Sequence, residues 1–494
     1  MRLDKIIEGI TIVSVQGETD KEISTVVFDS RKVVAGSLFV AVKGYNTDGH
    51  NYIDNAVIGG ADAVICEKLP DSPDSCITWV VVADSSKALG HAASNYFGRP
   101  SESLKLTGVT GTNGKTTTAT LLYEIFKQLG YKCGLFSTVR NFIVDTEYPA
   151  THTTPDPVEL NRMLAMMVDA GCEYVFMEVS SHSTHQQRIA GLRFVGAIFT
   201  NLTHDHLDYH KSFDNYLAAK KSWFDSLPAT AFALVNTDDR NGRVMLQNCA
   251  AKHYTFSIRG GADFRCNIVE ESFEGMKLKI MGEEVWIRFI GEYNASNLLA
   301  VYGASILLGG DKLEVLTALS GLMPVAGRLE IVSTGNGITG IVDYAHTPDA
   351  LLNVIGTLNK IESGESRLIT VVGAGGDRDK TKRPEMAAIS AQKSWMTILT
   401  SDNPRTEDPE AILDDMERGL SPELAKKTLR ITNRREAIKA AVRLSRRGDV
   451  VLVAGKGHET YQDVMGVKHH FDDREELLEQ LKSVDDRIIG ESEQ

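Results

Sequence analysis

The sequence has few cysteines, no dense run of lysine or arginine, and no uninterrupted apolar run of about 20 residues. Without such an apolar run no membrane-spanning helix is expected, and the N-terminal MRLDKIIEGI carries acidic residues that a secretory signal would lack. The six cysteines show no CxxC spacing. A zinc site or a disulfide framework is therefore disfavoured, and free thiols in a reducing compartment are favoured. We expect a soluble, cytoplasmic protein.

The formal net charge of −13 comes without a concentrated basic segment. A nucleic-acid partner is therefore disfavoured, because binding a phosphate backbone needs a dense positive surface. The length of 494 residues corresponds to about three domains at roughly 150 residues each. We expect a monomer that acts on small molecules.

Apolar patterns divide the chain into three blocks, at 1–99, 100–328 and 329–494. In the last block, short apolar runs alternate with polar helical stretches, which is typical of a parallel sheet flanked by helices. The whole chain is predicted to be α/β. Strands are predicted at 37–42, 63–67, 79–83, 104–109, 174–179, 197–200, 338–342, 368–372, 397–400 and 450–454, and helices at 52–58, 294–307, 409–420 and 434–445.

The segment GVTGTNGKTT at 108–117 follows a predicted strand and opens a predicted helix. Glycines allow a tight bend that points several N–H groups at one phosphate, and the helix N-terminus adds partial positive charge. Lys115 would then reach the terminal phosphates of ATP, and the hydroxyl of Thr116 would contact Mg²⁺. Five residues separate Gly108 from Gly114, whereas the usual phosphate loop has four. A chance Gly-Lys-Thr is the alternative interpretation.

Two further polar clusters, EVSSH at 178–182 and NLTHDHLDYH at 201–210, each follow a predicted strand. Both should emerge at one sheet edge near the glycine-rich loop. Mg²⁺ prefers oxygen ligands and usually shares the phosphates of its substrate. Glu178 is therefore a candidate ligand, and a histidine is an unusual addition. Alternatively, the three histidines of the second cluster are solvated loop residues.

In the third block, GAGGDRDK at 373–380, SDNPRTED at 401–408 and GKGHE at 455–459 each lie just past a predicted strand. Parallel sheets bind ligands at the carboxyl ends of their strands. These three clusters are therefore predicted to contribute to a binding site.

TGTNGKTTT, EVSSH, NLTHDHLDYH, GEYNASN, GRLE at 327–330 and DYAHTPDAL occur in this order along nearly the whole chain. Together they resemble the motifs of the Mur ligases of peptidoglycan synthesis. Within that family the chain is most similar to the branch that extends UDP-N-acetylmuramoyl-L-alanyl-D-glutamate. The resemblance implies an N-terminal UDP-binding domain, a central P-loop ATPase-like domain and a C-terminal Rossmann-like domain that admits the amino acid.

The resemblance also implies a mechanism. ATP would phosphorylate the free carboxylate of the UDP-linked dipeptide, the amine of the incoming amino acid would attack the acyl phosphate, and phosphate would leave. Positioning and neutralising phosphate charge are the main catalytic demands, which Lys115 and Mg²⁺ can meet.

Matching motifs imply roles for particular residues. The implied catalytic residues are Lys115, Glu178, His206 and Lys220, and the implied Mg²⁺ contacts are Thr116, Glu178, His206 and Lys220. The implied ATP site comprises Thr110, Gly111, Thr112, Asn113, Gly114, Lys115, Thr116, Asn294, Asn297, Arg328, Asp343 and His346. The implied contacts to the UDP-linked dipeptide are Ser30, Tyr45, Asn46, Thr47, Thr153, Thr154, Ser180, Gln186 and Arg188. One departure is His152, which stands where related enzymes often have Asn, and no role is assigned to it.

The family carries a carbamylated lysine (N6-carboxylysine) that bridges to metal, and Lys220 stands at the matching position. Carbamylation turns an ammonium into an anionic oxygen ligand. It requires a neutral amine, which burial or nearby positive charge favours by lowering the lysine pKa. Lys221 follows immediately, and a simple surface pair of lysines is the alternative.

The amino acid added third is commonly meso-diaminopimelate or L-lysine, which differ by one carboxylate at the far end. A guanidinium can pair with both carboxylate oxygens, and Arg405 in DNPR resembles that of the diaminopimelate-adding branch. The alternative is that Arg405 caps or pairs locally with Glu407 or Asp408. The implied diaminopimelate site comprises Arg378, Asp402, Asn403, Pro404 and Arg405, with Gly455 and Glu459 receiving the ammonium.

Three rival functions fit less well. Glutamate addition to folate shares the loop, but DNPRTEDP and the HTTP and SSH segments match the cell-wall branch. A regulatory module without catalysis would be expected to have lost Lys115, Glu178, His206 or Lys220, and all four are present. A GTPase-type switch would need a guanine-reading Asn-Lys-x-Asp segment after a strand, and none is found.

Overall fold

A computed structural model describes residues 1–44, 47–150, 152–361 and 366–492. These residues form three large sheets, with helices packed between and around their strands, and one two-stranded hairpin. The predicted α/β class is confirmed. Among the described residues, no helix has the length and apolar character needed to cross a bilayer.

The strands of the described residues are, in chain order, β1 (Ile12–Gln16), β2 (Thr25–Val27), β3 (Ser37–Val40), β4 (Ala61–Cys66), β5 (Thr78–Val82), β6 (Lys105–Thr110), β7 (Cys133–Phe136), β8 (Asn141–Ile143), β9 (Thr146–Tyr148), β10 (Tyr174–Glu178), β11 (Gly196–Phe199), β12 (Phe232–Asn236), β13 (Lys252–Ser257), β14 (Phe264–Ser272), β15 (Gly275–Ile280), β16 (Glu283–Ile287), β17 (Glu330–Val332), β18 (Thr339–Asp343), β19 (Leu368–Val372), β20 (Met396–Leu399), β21 (Thr428–Arg430), β22 (Val450–Ala454), β23 (Tyr461–Val464) and β24 (Val467–His470).

The α-helices of the described residues are α1 (Leu3–Ile6), α2 (Ile53–Ile58), α3 (Ser85–Tyr96), α4 (Lys115–Gln128), α5 (Pro157–Asp169), α6 (Ser181–His185), α7 (Leu207–His210), α8 (Phe213–Asp225), α9 (Gly242–Met245), α10 (Glu292–Leu307), α11 (Lys312–Gly321), α12 (Pro348–Ile361), α13 (Lys382–Lys393), α14 (Pro409–Glu417), α15 (Pro422–Ala425), α16 (Arg434–Leu444) and α17 (Asp473–Ser492). Short 3₁₀ helices occur at Ser30–Lys32, Gly49–Tyr52 and Pro100–Glu102.

The first sheet has the order β1-β5-β4-β3-β2, in which β2 to β5 are parallel and β1 is antiparallel to β5. Strands β3 and β4 are almost entirely buried, as expected for parallel strands that are covered on both faces. Helix α3 covers this sheet and begins at Asp84, whose carboxylate accepts from the backbone N–H of Lys87 at 2.9 Å.

The second sheet has the order β16-β15-β14-β13-β12-β11-β6-β10-β7-β8-β9. Strand β6 lies in its interior, parallel to β10 on one side and β11 on the other. A Cβ at Gly108 in β6 would lie 2.5 Å from the ring of Trp223, so the glycine lets helix α8 pack directly on this strand. That packing brings Lys220, one turn before Trp223, to the end of β6 where the glycine-rich loop starts.

The third sheet has the order β17-β18-β22-β19-β20-β21. Its strands β18, β22, β19, β20 and β21 are parallel. Their carboxyl ends therefore lie at one edge, as predicted for the segments 373–380, 401–408 and 455–459. The hairpin β23–β24 follows β22 and pairs with the 401–408 segment through an isolated bridge between Arg405 and Val464.

Each predicted strand or helix corresponds to an observed one, with ends that differ by at most three residues. The three large sheets lie at 12–82, 105–287 and 330–454. The boundaries at 99/100 and 328/329 remain a prediction that this division supports.

Candidate active site

A cavity of about 740 Å³ lies between the second and third sheets. Its walls come from the loops that follow β6, β7, β9, β10, β11, β18, β19, β20 and β22, together with helix α8 and the hairpin. Predicted site residues in its walls are Thr112, Asn113, Gly114, Lys115, Thr116, Thr153, Thr154, Glu178, Ser180, Arg188, His206, Lys220, Arg328, His346, Arg378, Asp402, Asn403, Arg405, Gly455 and Glu459.

Other predicted site residues do not line this cavity. They are Ser30, Thr47, Thr110, Gly111, Gln186, Asn294, Asn297, Asp343 and Pro404. Tyr45 and Asn46 lie outside the described residues. Thr110, Gly111, Gln186, Asn297, Asp343 and Pro404 adjoin lining residues in sequence or contact them, whereas Ser30 and Thr47 lie with the first sheet.

The glycine-rich loop folds around the side chain of Lys115. The Nζ of this half-buried lysine donates to the carbonyl oxygens of Gly111 at 2.9 Å and Thr112 at 2.8 Å. Burial lowers the pKa of Lys115, and the carboxylates of Glu178 and Asp205 partly oppose that shift. The loop therefore presents a cation at the N-terminus of α4, where an anionic phosphate would be stabilised.

The NLT segment after β11 fixes the shape of this loop. The backbone carbonyl and side-chain oxygen of Asn201 accept from the N–H groups of Thr112 and Asn113, both at 2.8 Å. The hydroxyl of Thr200 donates to the carbonyl of Asn113 at 2.6 Å. These contacts within the protein hold the loop in its shape.

Glu178 is fully buried at the end of β10. Its two carboxylate oxygens accept from the N–H of Thr138 at 2.7 Å and from the hydroxyl of Thr138 at 3.2 Å. Thr138 follows β7 and was not predicted from the sequence, because nothing in the chain marks 138 and 178 as neighbours. It fixes the orientation of a carboxylate that would otherwise be free to rotate.

The three histidines of NLTHDHLDYH have different environments, so the interpretation of all three as solvated residues is wrong. His204 is exposed, whereas His206 lines the cavity with its side chain 42% accessible. His210 is buried, and its Nε2 lies 2.9 Å from the hydroxyl oxygen of Ser181. Burial lowers the pKa of His210 to about 4, so its imidazole is neutral at pH 7.

Lys220 is 1% exposed, so the surface-lysine interpretation is wrong for it. Its Nζ donates to the carbonyl of Gly111 at 2.9 Å and to the hydroxyl of Thr110 at 3.4 Å. Burial lowers the pKa of Lys220 well below its ordinary value, and the nearby charge of Lys115 lowers it further. Lys221 instead forms an ion pair with Asp225 at 2.5 Å.

The HTTP and SSH segments meet around Thr154 and Arg188. The Thr154 hydroxyl donates to the carbonyl of Glu178 at 2.8 Å, and Arg188 Nη1 donates to the carbonyl of Thr154 at 2.8 Å. The Nε and Nη2 of Arg188 donate to the side-chain oxygen of Gln186 at 2.9 and 2.6 Å. Gln186 therefore orients Arg188 toward the cavity although it does not line the cavity itself.

Arg405 lies at the carboxyl edge of the third sheet with φ +51°, and its Nη1 donates to the carbonyl of Gly376 at 2.6 Å. Local pairing with Glu407 or Asp408 is wrong. Glu407 pairs with Arg383 at 2.8 Å and Lys380 at 2.9 Å, and Asp408 caps α14. The guanidinium of Arg405 therefore remains available to the cavity.

Glu459, with Asn403 as its hydrogen-bond partner, forms the acidic side of the same region. Asn403 Nδ2 donates to Glu459 Oε2 at 2.7 Å, and the hydroxyl of Tyr344 donates to Glu459 Oε1 at 3.4 Å. Burial raises the pKa of Glu459, and the nearby carboxylate of Asp402 raises it further. Arg405 and Glu459 thus give this end of the cavity one cationic and one anionic region.

Arg328 connects the two ends of the cavity. Its Nη2 donates to the Thr116 hydroxyl at 3.3 Å, and its guanidinium carbon lies 4.6 Å from the ring centroid of Tyr344. Asp343 accepts from the N–H of Leu329 at 2.7 Å and so fixes the turn that carries Arg328. Besides Thr138, the sequence did not single out the lining residues Asp205, Tyr344, Lys382 and His458.

Within the described residues, no three His, Cys, Asp or Glu side chains come together in a way that could hold a metal ion. The chain's candidate oxygen donors are the Thr116 hydroxyl and the carboxylate of Glu178, both in the cavity walls. These donors fit Mg²⁺, which commonly takes one or two carboxylates and completes its coordination with substrate phosphates and water.

Three family models match the chain. The Mur ligase family catalytic domain matches residues 22–97, the Mur ligase middle domain matches 109–305, and the Mur ligase glutamate ligase domain matches 327–457. The chain belongs to the Mur ligase family.

Relatives of this Mur ligase match nearly its full length. A protein of Bacteroides fragilis named UDP-N-acetylmuramoyl-L-alanyl-D-glutamate--2,6-diaminopimelate ligase is 56% identical over 97% of this chain and 99% of its own. A protein of Cytophaga hutchinsonii with the same name is 53% identical over 97% of this chain and 100% of its own. A solved structure of a ligase of that name has a TM-score of 0.70 at 32% identity, covering 98% of this chain and 99% of that one.

The family resemblance predicted from the motifs is confirmed. The Mur ligase is an ATP-dependent enzyme that forms amide bonds. The individual roles of the site residues remain predictions.

Proposed function

We propose that this Mur ligase joins meso-diaminopimelate to UDP-N-acetylmuramoyl-L-alanyl-D-glutamate, with hydrolysis of ATP to ADP and phosphate, in the cytoplasmic synthesis of peptidoglycan precursors. Relatives named for this reaction are 53–56% identical over nearly the whole chain. The observation that carries the proposal is the single cavity that contains both Lys115 and Arg405. These residues belong to different sheets, and a ligase needs the nucleotide and the amino acid in one place.

The ATP phosphates would lie along the glycine-rich loop. Lys115 and Arg328 face this part of the cavity from opposite sheets, and two cations there would stabilise negative charge that develops on the transferred phosphoryl group. The free carboxylate of the dipeptide attacks the terminal phosphorus and ADP departs. The neutral amine of the amino acid then attacks the acyl carbon, and phosphate leaves.

Thr116, Glu178 and His206 would hold Mg²⁺, together with Lys220 as its carbamate. The ion would supply positive charge against the phosphates. Burial of Lys220 supports this role, since a fully buried ammonium without an ion-pair partner among the described residues is unfavourable. Its lowered pKa favours the neutral amine that reacts with carbon dioxide.

The UDP-linked dipeptide would bind along Thr153, Thr154, Ser180 and Arg188, which line the cavity. Ser30, Tyr45, Asn46, Thr47 and Gln186 are proposed to complete its site. Asn294, Asn297, Asp343 and His346 are proposed to surround the nucleotide with the loop residues 110–116. We further propose domains at 1–99, 100–328 and 329–494, and a monomer.

Arg405 would read the far carboxylate of diaminopimelate, with Arg378 as a second cation, while Gly455 and Glu459 receive the adjacent ammonium. The backbone around Asp402, Asn403 and Pro404 holds Arg405 in place. With L-lysine the guanidinium would lose its anionic partner, and an unsatisfied charged group costs roughly 1–3 kcal/mol or more. That corresponds to a loss of about fivefold to more than a hundredfold in kcat/KM.

The test is phosphate release by the pure protein with ATP, Mg²⁺ and the UDP-linked dipeptide, in the presence of meso-diaminopimelate, L-lysine or L-ornithine. Stimulation by diaminopimelate at least about fivefold above lysine in kcat/KM is expected. Equal kcat/KM for lysine would refute the role of Arg405. Absence of stimulation by any amino acid would refute the proposed reaction.

A further inference from the structure

Lys456, immediately after β22, is completely buried beneath the amino-acid end of the cavity. Its Nζ donates to the side-chain oxygen of Asn403 at 3.1 Å, to Glu459 Oε2 at 3.4 Å and to the carbonyl of Tyr461. Asp402 Oδ1 lies 3.9 Å from the same Nζ. One ammonium therefore connects the loop after β20, the loop after β22 and the first strand of the hairpin.

The contacts of Asn403 depend on this arrangement. Its side-chain oxygen accepts from Lys456 and from the N–H of Asp463 at 2.8 Å, which leaves its amide nitrogen to donate to Glu459 at 2.7 Å. The amide is thereby held in one orientation. Among the described residues, Glu459 Oε2 receives two donors, and the other carboxylate oxygen receives one long bond, at 3.4 Å from Tyr344.

Asp402, Glu459 and Lys456 form a cluster of three charged side chains. Asp402 and Glu459 carry two negative charges if both are ionised, and Lys456 carries one positive charge in contact with both. The remainder is one negative charge. One ammonium of an amino acid would match it, while Arg405, across the same cavity, would match a carboxylate.

We propose that Lys456 is a positioning residue for the amino-acid site, which fixes Asn403 and Glu459 and leaves one net negative charge for a single substrate ammonium. The inference rests on the proposed function, because it assumes that an amino acid with an ammonium beside its far carboxylate binds here.

Loss of this lysine would change the protonation of the cluster. Two adjacent carboxylates without a cation between them disfavour double ionisation, so one takes up a proton. Glu459 is the expected proton acceptor, because burial already raises its pKa. The charged or titratable groups that face it are Asp402 from the loop after β20, Lys456 from its own loop, Tyr344 from the loop after β18 and, at longer range, Arg434 from α16.

The first experiment compares the parent with Lys456→Met, which retains most of the buried volume but lacks the charge. The KM for meso-diaminopimelate should rise about tenfold or more, while the KM for ATP and for the UDP-linked dipeptide should change less than about twofold. Raising the pH from about 7 to about 9 should reduce the difference from the parent, as Glu459 loses its proton. Lys426→Met, which removes an exposed charge of the same sheet region, is the matched control and should have no effect.

A substrate comparison separates this role from a general loosening of the site. 2-Aminopimelate retains the far carboxylate but lacks the ammonium beside it. Its apparent affinity, measured as a substrate or as a competitive inhibitor, should be nearly the same in the parent and in Lys456→Met. An equal loss for both amino acids would show that the lysine is only structural and would overturn the proposal.

In Lys456→Met the proton on Glu459 leaves the one negative charge on Asp402, whereas the double variant Lys456→Met with Asp402→Asn places that charge on Glu459, because the neighbouring carboxylate is gone. The double variant should recover part of the lost affinity for meso-diaminopimelate and should fold even if the single variant does not, because two unpaired buried acids are no longer adjacent. If the double variant folds but recovers no affinity, an ionised Glu459 is not what binds the substrate ammonium, and the proposal is overturned. Failure of both variants to fold would overturn it as well. Failure of the proposed function is distinct, since the parent itself would then show no amino-acid-dependent phosphate release.

Discussion

Two lysines of the described chain, Lys220 and Lys456, are completely buried, and their environments differ. Lys456 lies between two carboxylates, whereas the Nζ of Lys220 donates to a carbonyl and a hydroxyl and lies 4.8 Å from the ring centroid of Tyr216. Burying an ammonium without a counter-ion is unfavourable, and the usual outcome is a neutral amine. The same residue type is therefore ion-paired at one end of the cavity and is a candidate for carbamylation at the other.

Replacing Lys220 tests that difference. Lys220→Ala should lose most ligase activity, and short carboxylic acids should restore part of it by supplying the missing anionic oxygens. Lys221→Ala, which removes an ion pair with Asp225 and a hydrogen bond to the carbonyl of Gln247 near the surface, should lose little activity, because each such contact contributes about 1 kcal/mol or less. Unimpaired activity of Lys220→Ala would contradict the metal-bridging role.

Arg405 is the residue on which amino-acid selection should depend. Arg405→Lys retains the charge but loses the planar pair of donors, so kcat/KM for meso-diaminopimelate should fall about tenfold to a hundredfold. Activity with L-lysine should change much less. Arg418→Lys, in an exposed pair with Asp415, is the control. An equal loss with both amino acids would indicate damage to the loop rather than to recognition.

Some site residues were predictable from the sequence and others were not. Lys115 and Arg405 lie in contiguous motifs whose residue types point directly to phosphate and carboxylate binding. Thr138 and Lys456 act through contacts with Glu178, Asn403 and Glu459 that only the folded chain creates. The sequence does not indicate those distances, so the supporting roles of Thr138 and Lys456 could be identified only from the structure.

At the level of elements, the helix α4 has a glycine with positive φ at each end, Gly114 at +86° and Gly130 at +89°. A Cβ at Gly114 would lie 2.4 Å from Asn297 Oδ1, whereas a Cβ at Gly130 would have no neighbour within 4 Å. The two positions therefore share the same backbone strain but differ in their surroundings.

The two alanine substitutions should separate these effects. Each alanine should lower the free energy of unfolding, measured by urea denaturation, by about 1 kcal/mol, because it must adopt a left-handed backbone conformation. Gly114→Ala should in addition displace Asn297 and raise the KM for ATP several-fold, whereas Gly130→Ala should leave it unchanged. Equal KM values for ATP in the two variants would show that the contact with Asn297 has no role in nucleotide binding.

Strands with contiguous apolar residues, such as β19 and β22, were predicted at their observed bounds because burial on both faces leaves a clear pattern. The three-residue strands β8 and β9 are too short to produce a recognisable period. Strand β14 is mostly exposed beyond its first residues, so its membership of the second sheet depends on pairing with β13 and β15 rather than on its own pattern.

In the whole molecule, the second and third sheets are connected across the cavity by few polar contacts. Asn113 Nδ2 donates to Asp349 Oδ2 at 3.2 Å, and Arg328 donates to Thr116 at 3.3 Å. Farther from the cavity, Lys360 and Glu292 form an exposed ion pair at 2.6 Å. An acyl phosphate must be shielded from water, so the contacts next to the glycine-rich loop should matter for catalysis.

Removing the contact at the loop should affect the reaction more than removing the exposed pair. Asp349→Ala should raise the KM for ATP about threefold to tenfold, because the side chain of Asn113 loses its partner in the other sheet. Lys360→Ala should change every kinetic constant by less than about twofold. Steady-state kinetics with each substrate varied in turn checks both values. A larger effect of Lys360→Ala would contradict the greater importance of the contact next to the glycine-rich loop.

In the proposed reaction, ATP activates the free carboxylate of the UDP-linked dipeptide as an acyl phosphate before meso-diaminopimelate attacks. Labelling that carboxylate with oxygen-18 tests it most directly. One labelled oxygen should appear in each phosphate released, with one tripeptide product and one ADP formed per phosphate. Unlabelled phosphate, or phosphate released without a matching amount of product, would contradict the proposed reaction.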